Sequence, residues 1–174
     1  MTEISIVDTN VVLVANGQHS DVEPECVATC ATRLAKIMTN GRIALDSGFA
    51  ILSEYQNKTQ PVQAKRPGDV FVKWVLQNRS NPSRCDTVDL VEHKNRKYET
   101  FPDDSRLANF DSSDRKFVAI SLAHPTKPKI LQGTDSKWLA WSLSLADHGV
   151  EVDFLCAKDI KRFHKKKNVR RVSH

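Results

Sequence analysis

Four carboxylates stand where this chain can do chemistry: Asp8, Glu54, Asp114 and Asp135. Asp8 ends the apolar run Ile4-Ser5-Ile6-Val7, and Asp135 follows Ile130-Leu131 by way of Gly133-Thr134. Each run reads as a short buried strand, and parallel strands put their carboxyl ends on one side of the sheet, where ligands bind. Asp8 and Asp135 are therefore expected as neighbours. Asp114 opens the helix before the Asp135 strand, and Glu54 lies on the helix after the second strand, so both can reach that edge. A plainer explanation exists for each: Asp favours turns and helix caps, and Glu on an amphipathic helix usually faces water. Partners separate the two. Carboxylates crowded together raise one another's pKa and are costly unless cations neutralise them. Mg²⁺ or Mn²⁺ does so with hard oxygen ligands, and the lack of His and Cys at these positions argues against zinc. One or two such ions clamp a phosphodiester, activate a water and stabilise the leaving oxygen. Hydrolysis of nucleic acid is the expected chemistry.

The elements that must hold these residues follow from hydrophobic spacing. After the first strand come a short apolar stretch, Val11 to Ala15, and a loop, Gly17 to Ser20. A helix runs from Pro24 to Thr39 and stops at Asn40-Gly41; Arg42 to Asp46 is the second strand, and a helix resumes near Ser47 and carries Glu54. Residues 56 to 67 form a polar, proline-marked loop, and Gly68-Asp69 opens an apolar helix. Thr87 to Val91 alternates as a third strand, placed at an edge, and His93 to Asn109 reads as a charged loop over the active edge. A helix over 116–123, capped by Ser113 or Asp114, a strand at Ile130-Leu131, a helix stopped by His148-Gly149 and a last strand from Val150 to Leu155 complete the body. The order β-α-β-α-α-β-α-β-α-β predicts an α/β fold with three layers, α/β/α, around a mostly parallel sheet of about five strands.

A chain of 174 residues fits one domain, here residues 1–157, followed by a basic tail, 158–174. The net charge of +5 is uneven, because the tail holds eight Lys or Arg against one Asp while the rest is slightly acidic. Lys161, Arg162, Lys165, Lys166 and Lys167 suit a polyanion, with nucleic acid the commonest, although a solvated disordered end explains them as well. Lys94, Arg96, Lys97 and Tyr98 leave the same choice between a strand-binding patch and a solvated loop. No apolar run approaches a membrane helix, and the first strand begins too early for a signal peptide, so a cytoplasmic protein without a membrane partner is expected. Cys26, Cys30, Cys85 and Cys156 include no CxxC pair. Cys26 and Cys30 stand one helical turn apart in an apolar pattern and read as buried free thiols, with a zinc site completed by a distant His as the alternative. The absence of GxGxxG and P-loop motifs argues against dinucleotide or NTP binding.

Ile6-Val7-Asp8-Thr9-Asn10, Ile51-Leu52-Ser53-Glu54-Tyr55, Asp114-Arg115-Lys116-Phe117-Val118-Ala119 and Gly133-Thr134-Asp135-Ser136 together resemble the PIN-domain nucleases, a fold also found in ribonuclease toxins of bacterial toxin–antitoxin pairs. The resemblance spans about residues 4 to 155. It implies that Asp8, Glu54, Asp114 and Asp135 bind Mg²⁺ or Mn²⁺ and position the water, with Asn10 and Thr134 as polar supports. Thr9 and Ser136 rank lower, and Asp111 and Asp46 rank below the four as ligands that replace or extend the set. It also implies an endoribonuclease, RNA ahead of DNA, with an antitoxin or other regulatory partner and a homodimer as open accompaniments. The long segment from Gln56 to Asn109 departs from the smallest such toxins and leaves substrate and partner open. A dehalogenase-type phosphatase would have a second Asp where Asn10 stands, and a receiver domain would need an acidic pair in its first loop. The competing reading from another class is a catalytically silent PIN-like module that binds RNA or protein.

Overall fold

A computed structural model describes residues 2–172. Along the chain run β1 (Ile4–Val7), α1 (Thr9–Ala15), α2 (Pro24–Asn40), β2 (Arg42–Asp46), α3 (Ala50–Lys58), α4 (Pro67–Asn78) and β3 (Cys85–Val88). There follow β4 (Glu92–His93), β5 (Lys97–Tyr98), two single 3₁₀ turns (Ser105–Leu107 and Ser112–Asp114), α5 (Arg115–Ala123), β6 (Lys129–Gln132), α6 (Lys137–Asp147), β7 (Val152–Phe154) and α7 (Ala157–Val172). The main sheet has five strands in the order β3-β2-β1-β6-β7, every pair parallel. β1 is central, and Ile6 and Val7 are buried, as are Ile43 to Leu45 and Ile130 to Leu131, so these strands are apolar at successive positions. Right-handed crossovers then place the helices joining β1, β2 and β3 on one face and those joining β3, β6 and β7 on the other. Consistent with this, α1 packs with α2 and α4, and α5 lies against β1, β2 and β6. The predicted three-layer α/β/α architecture is the one observed.

Local differences have local causes. Val11 to Ala15, read as a short apolar stretch, belongs to α1, which buries Thr9, Val11, Val12, Val14 and Ala15; a helix covered all round has no amphipathic period to betray it. The third strand is Cys85–Val88 and not Thr87 to Val91, although it does lie at the sheet edge. The segment from His93 to Asn109 is more than a loop: β4 and β5 form an antiparallel hairpin, and Phe101 and Leu107 are buried. The Arg115 guanidinium fastens it by donating to the carbonyls of Arg96, Ala108 and Phe110 while lying over the Phe101 ring. The basic tail is helical from Ala157 to Val172 and not a disordered end, within the described residues; Ser173 and His174 lie outside them.

The expectation of free thiols holds for Cys30 and Cys85 but not for Cys26 and Cys156, which form a disulfide with Cα atoms 5.3 Å apart. The partners are 130 residues apart in sequence, a closure that spacing cannot reveal. Among the described residues no helix is long and apolar enough to cross a membrane.

Gly68 permits the approach of α4 to α1. A Cβ there would stand 2.3 Å from the Val12 carbonyl oxygen, and the Gly68 N–H donates to Asn16 Oδ1 at 2.6 Å. Backbone cannot yield as a side-chain tip does, so Gly68→Ala is expected to lower stability by about 1–3 kcal/mol, read as a fall in the urea midpoint at unchanged m-value.

Candidate functional site

Asp8 leaves β1 at the sheet's carboxyl edge and immediately caps α1, its Oδ1 accepting from the Asn10 N–H at 2.8 Å. Its Oδ2 is buried and has no hydrogen-bond partner among the described residues. The side chain is thus half satisfied in a dry place. Burial, then the charge of Asp114, and further Asp135 and Glu54, push the Asp8 carboxyl up to about 8 against the opposing Asn10 N–H bond. The strand end is fixed by the Asp8 N–H donating to the Leu131 carbonyl at 3.0 Å and by the Tyr55 hydroxyl donating to the Val7 carbonyl.

Asp135 arrives from the neighbouring strand, as predicted: Val7 is in register with Leu131, and Asp135 lies in the turn between β6 and α6. Asp114 comes from the 3₁₀ turn that leads into α5. Carboxylate oxygens of Asp111, Asp114 and Asp135 all lie within 4.8 Å of one another. Asp111, ranked below the four in sequence, is therefore brought into the cluster. Burial and the Asp135 charge push the Asp114 carboxyl up to about 6, despite the opposing Lys116 charge. Lys137 stands on the outer side, its Nζ 2.7 Å from Asp111 Oδ2 and its N–H donating to Asp135 Oδ1 at 3.1 Å.

Glu54 is half-buried on α3 and faces inward, as its assignment to this edge requires. Burial raises its pKa, but the hydrogen bond and charge of Lys116 prevail and hold the carboxyl below its usual range. Lys116 is the functional residue that sequence reasoning missed. It is 6% exposed, its Nζ lies 2.5 Å from Glu54 Oε2, and it also donates to the Ser113 carbonyl. One ammonium thereby joins α3 to the turn that carries Asp114. Its signal was available: a lysine at the head of the inward run Phe117-Val118-Ala119-Ile120 must find a partner or expose itself.

Of the supporting residues, Asn10 holds the Asp8 carboxylate through its backbone N–H, while its side chain holds Thr134: Asn10 Oδ1 accepts from the Thr134 N–H at 2.6 Å and from its hydroxyl at 3.2 Å. That bond joins the β1–α1 junction to the β6–α6 turn and so fixes Asp8 relative to Asp135. Asp46 is corrected from a reserve ligand to a helix cap, because its two oxygens accept from the Ala50 and Ile51 N–H groups at 2.7 and 3.1 Å. The Ser136 hydroxyl is buried without a hydrogen-bond partner among the described residues, beside Asp135 in sequence, whereas the buried Thr9 side chain stands close enough to the Glu54 carboxylate to help lower its pKa.

The basic candidates divide. Lys161, Lys165, Lys166 and Lys167 are exposed on α7. Arg162 anchors that helix instead, pairing with Asp159 at 2.8 Å and Glu23 at 2.9 Å and donating to the Asp21 carbonyl. In the hairpin, Lys94 and Lys97 are exposed, whereas Arg96 bonds the Glu99 and Phe101 carbonyls and Tyr98 is buried.

A carboxyl whose pKa is raised by folding stabilises the fold while protonated. That contribution is complete below the unfolded value of 3.8 and is lost as pH rises through about 8. Asp8→Asn is therefore expected to match the wild type near about pH 4 and to exceed it by at least about 1 kcal/mol near pH 9, in urea titrations with chelator present.

No family model matches this chain, and the searches of curated proteins and of solved structures likewise return no match.

Proposed function

We propose that this chain is a metal-dependent, PIN-like nuclease that hydrolyses phosphodiester bonds in nucleic acid, RNA ahead of DNA, in the cytoplasm. The observation that carries the reading is the buried, unpartnered Asp8 Oδ2 at the sheet edge that also bears the Asp111, Asp114 and Asp135 cluster. Such an oxygen is costly without a partner, and the donors around it are hard oxygens, the set that Mg²⁺ or Mn²⁺ takes and that zinc does not prefer. The residues that would hold the ion are Asp8, Asp114 and Asp135, with Asp111 in place of Glu54, which the sequence reading counted as a ligand and which is paired with Lys116 instead. A bound ion supplies the activation of water and the neutralisation of charge on the phosphate and leaving oxygen.

The chain's own groups do the positioning. Lys116 keeps Glu54 ionised and tied to the Asp114 turn, and the Asn10–Thr134 bond keeps two strand ends in register. Asp8 and Asp114, with their raised pKa values, are suited to hold a proton when the cation is absent. The exposed lysines of α7 suit the phosphate backbone, which supplies affinity without sequence information. An antitoxin-like or other regulatory partner and a homodimer are compatible with this reading and are not required by it.

The test is cleavage of labelled single-stranded RNA and DNA with Mg²⁺ or Mn²⁺. Asp8→Asn and Asp135→Asn are each expected to lower the rate by about 100-fold or more, and chelator to abolish it. Activity that survives both substitutions or ignores chelator rejects the proposal, and metal-independent RNA binding without cleavage indicates a silent binding module.

Affinity is tested separately. Replacing Lys165, Lys166 and Lys167 with Gln is expected to weaken RNA binding and flatten the dependence of log affinity on log salt by up to about 2. Fluorescence anisotropy at several salt concentrations measures that slope.

A further inference from the structure

The disulfide sits at a mechanical junction. Cys156 is the residue before α7, Cys26 is in the first turns of α2, and the bond between them fastens the start of the basic helix to the body. A third sulfur lies beside it: Cys30, one helical turn along α2, has its Sγ 3.7 Å from Cys156 Sγ, and one sulfur from each residue lies within 4.8 Å of the others. Cys156 therefore faces two possible partners on one helix. Cys26 and Cys156 are each 5% exposed, at the floor of a surface hollow of about 230 Å³ that Glu23, Glu25, Thr29 and Asp159 also line. Cys30 lies inside, fully buried.

Beyond this bond, the buried residues of α7 and its ion pairs to α2 and the preceding loop lie in its first turns, with Phe163 against the His19 ring. Asp159 and Ile160 are its buried residues, Arg162 pairs with Glu23 and Asp159, and residues 165–172 are exposed. A single covalent link at the root can thus govern how firmly a highly charged helix is held. We propose that Cys26, Cys30 and Cys156 form a thiol–disulfide site that reversibly fastens α7 to α2, taking small dithiols as reductant and small-molecule disulfides as oxidant. In the opening step a dithiol sulfur attacks one sulfur of the Cys26–Cys156 bond, and that bond breaks. The dithiol then closes into its own disulfide, surrendering the electron pair, and its two protons end on Cys26 and Cys156. Closing is the reverse, with the small disulfide accepting the electrons and protons. Cys30 is held inside at 3.7 Å from Cys156 Sγ, and burial pushes its thiol up to about 12, which slows its attack on the resting bond relative to closure by Cys26. When Cys26 is missing, Cys30 takes its place.

The test uses the full chain and no nuclease assay, so it stands apart from the proposed activity. After equilibration with cystamine and its removal, denatured protein is expected to show two free thiols of four and a peptide linking Cys26 to Cys156. Reduction with dithiothreitol is expected to raise amide hydrogen exchange in residues 157–172 by about tenfold while the strands stay protected, and cystamine to restore it. Cys26→Ser is expected to yield a Cys30–Cys156 link, and Cys30→Ser to keep Cys26–Cys156. Four free thiols or mixed disulfides alone after oxidation overturn the site. Unchanged exchange over 157–172 on reduction overturns the fastening role, and a Cys26→Ser protein without the Cys30–Cys156 link overturns the part given to Cys30. Protection of the strands in Cys26→Ser, read by the same hydrogen exchange, separates a folding defect from a failure of the chemistry.

Discussion

A carboxylate placed where water does not reach governs this structure. Asp8 must end β1 and cap α1 at once, and that double duty fixes its position and uses only one of its oxygens. The second oxygen is left in a medium where an unmet charge costs several kcal/mol, of order 1–3 for the lost hydrogen bond alone. Folding tolerates it because the surroundings are over-determined. β1 is paired on both sides, the Tyr55 hydroxyl is spent on the Val7 carbonyl, and Asn10 is spent on Thr134. The strand end therefore cannot relax to let Asp8 find a better partner. Either a proton or a cation must meet that oxygen.

The lysines around the site divide the same problem. Lys116 and Lys137 each neutralise a carboxylate at the periphery, Glu54 and Asp111, while Asp8 and Asp114 keep raised pKa values. Had the cluster been only a structural ion-pair network, the cations would be expected beside the most buried acid. Instead the most buried acid is the one left unpaired, and the ammonium groups hold the rim in place. Geometry of this kind leaves the central carboxylates without a cationic side chain while limiting, at the rim, the repulsion that the fold must carry.

How much of this was legible in the sequence depended on whether local pattern or tertiary closure decided the outcome. The strands, and with them the neighbourhood of Asp8 and Asp135, were legible because successive apolar residues ending in Asp admit few arrangements in a parallel sheet. Helix α1 was hidden by its complete burial, which erases amphipathic periodicity. Asp111 and Asp46 were ranked equally from sequence, yet one joins the cluster and the other caps α3. Which turn N–H groups or carboxylates each one meets is decided by tertiary closure, and no periodicity reports it. Lys116 was quoted within a motif without a role, because its partner Glu54 is 62 positions away on another helix. The pairing of Cys156 with Cys26 was beyond reach for the same reason.

Charge segregation links the two ends of the molecule. An acidic centre repels a polyanion at long range, so a substrate of that class needs attraction from elsewhere on the same chain before short-range chemistry can act. Helix α7 is the element suited to that attraction: it carries all of the excess positive charge of a chain whose remainder is slightly acidic. On the proposed reading, affinity and chemistry would be carried by separate elements, one exposed and the other buried. Their relative placement matters because screened attraction falls off within about 8–10 Å at physiological salt. A helix whose buried residues, disulfide and Arg162 clamp all lie at its root presents its lysines consistently while that root is held. The sulfur cluster at Cys156 is thus placed where a small chemical change has the largest leverage on the distribution of positive charge.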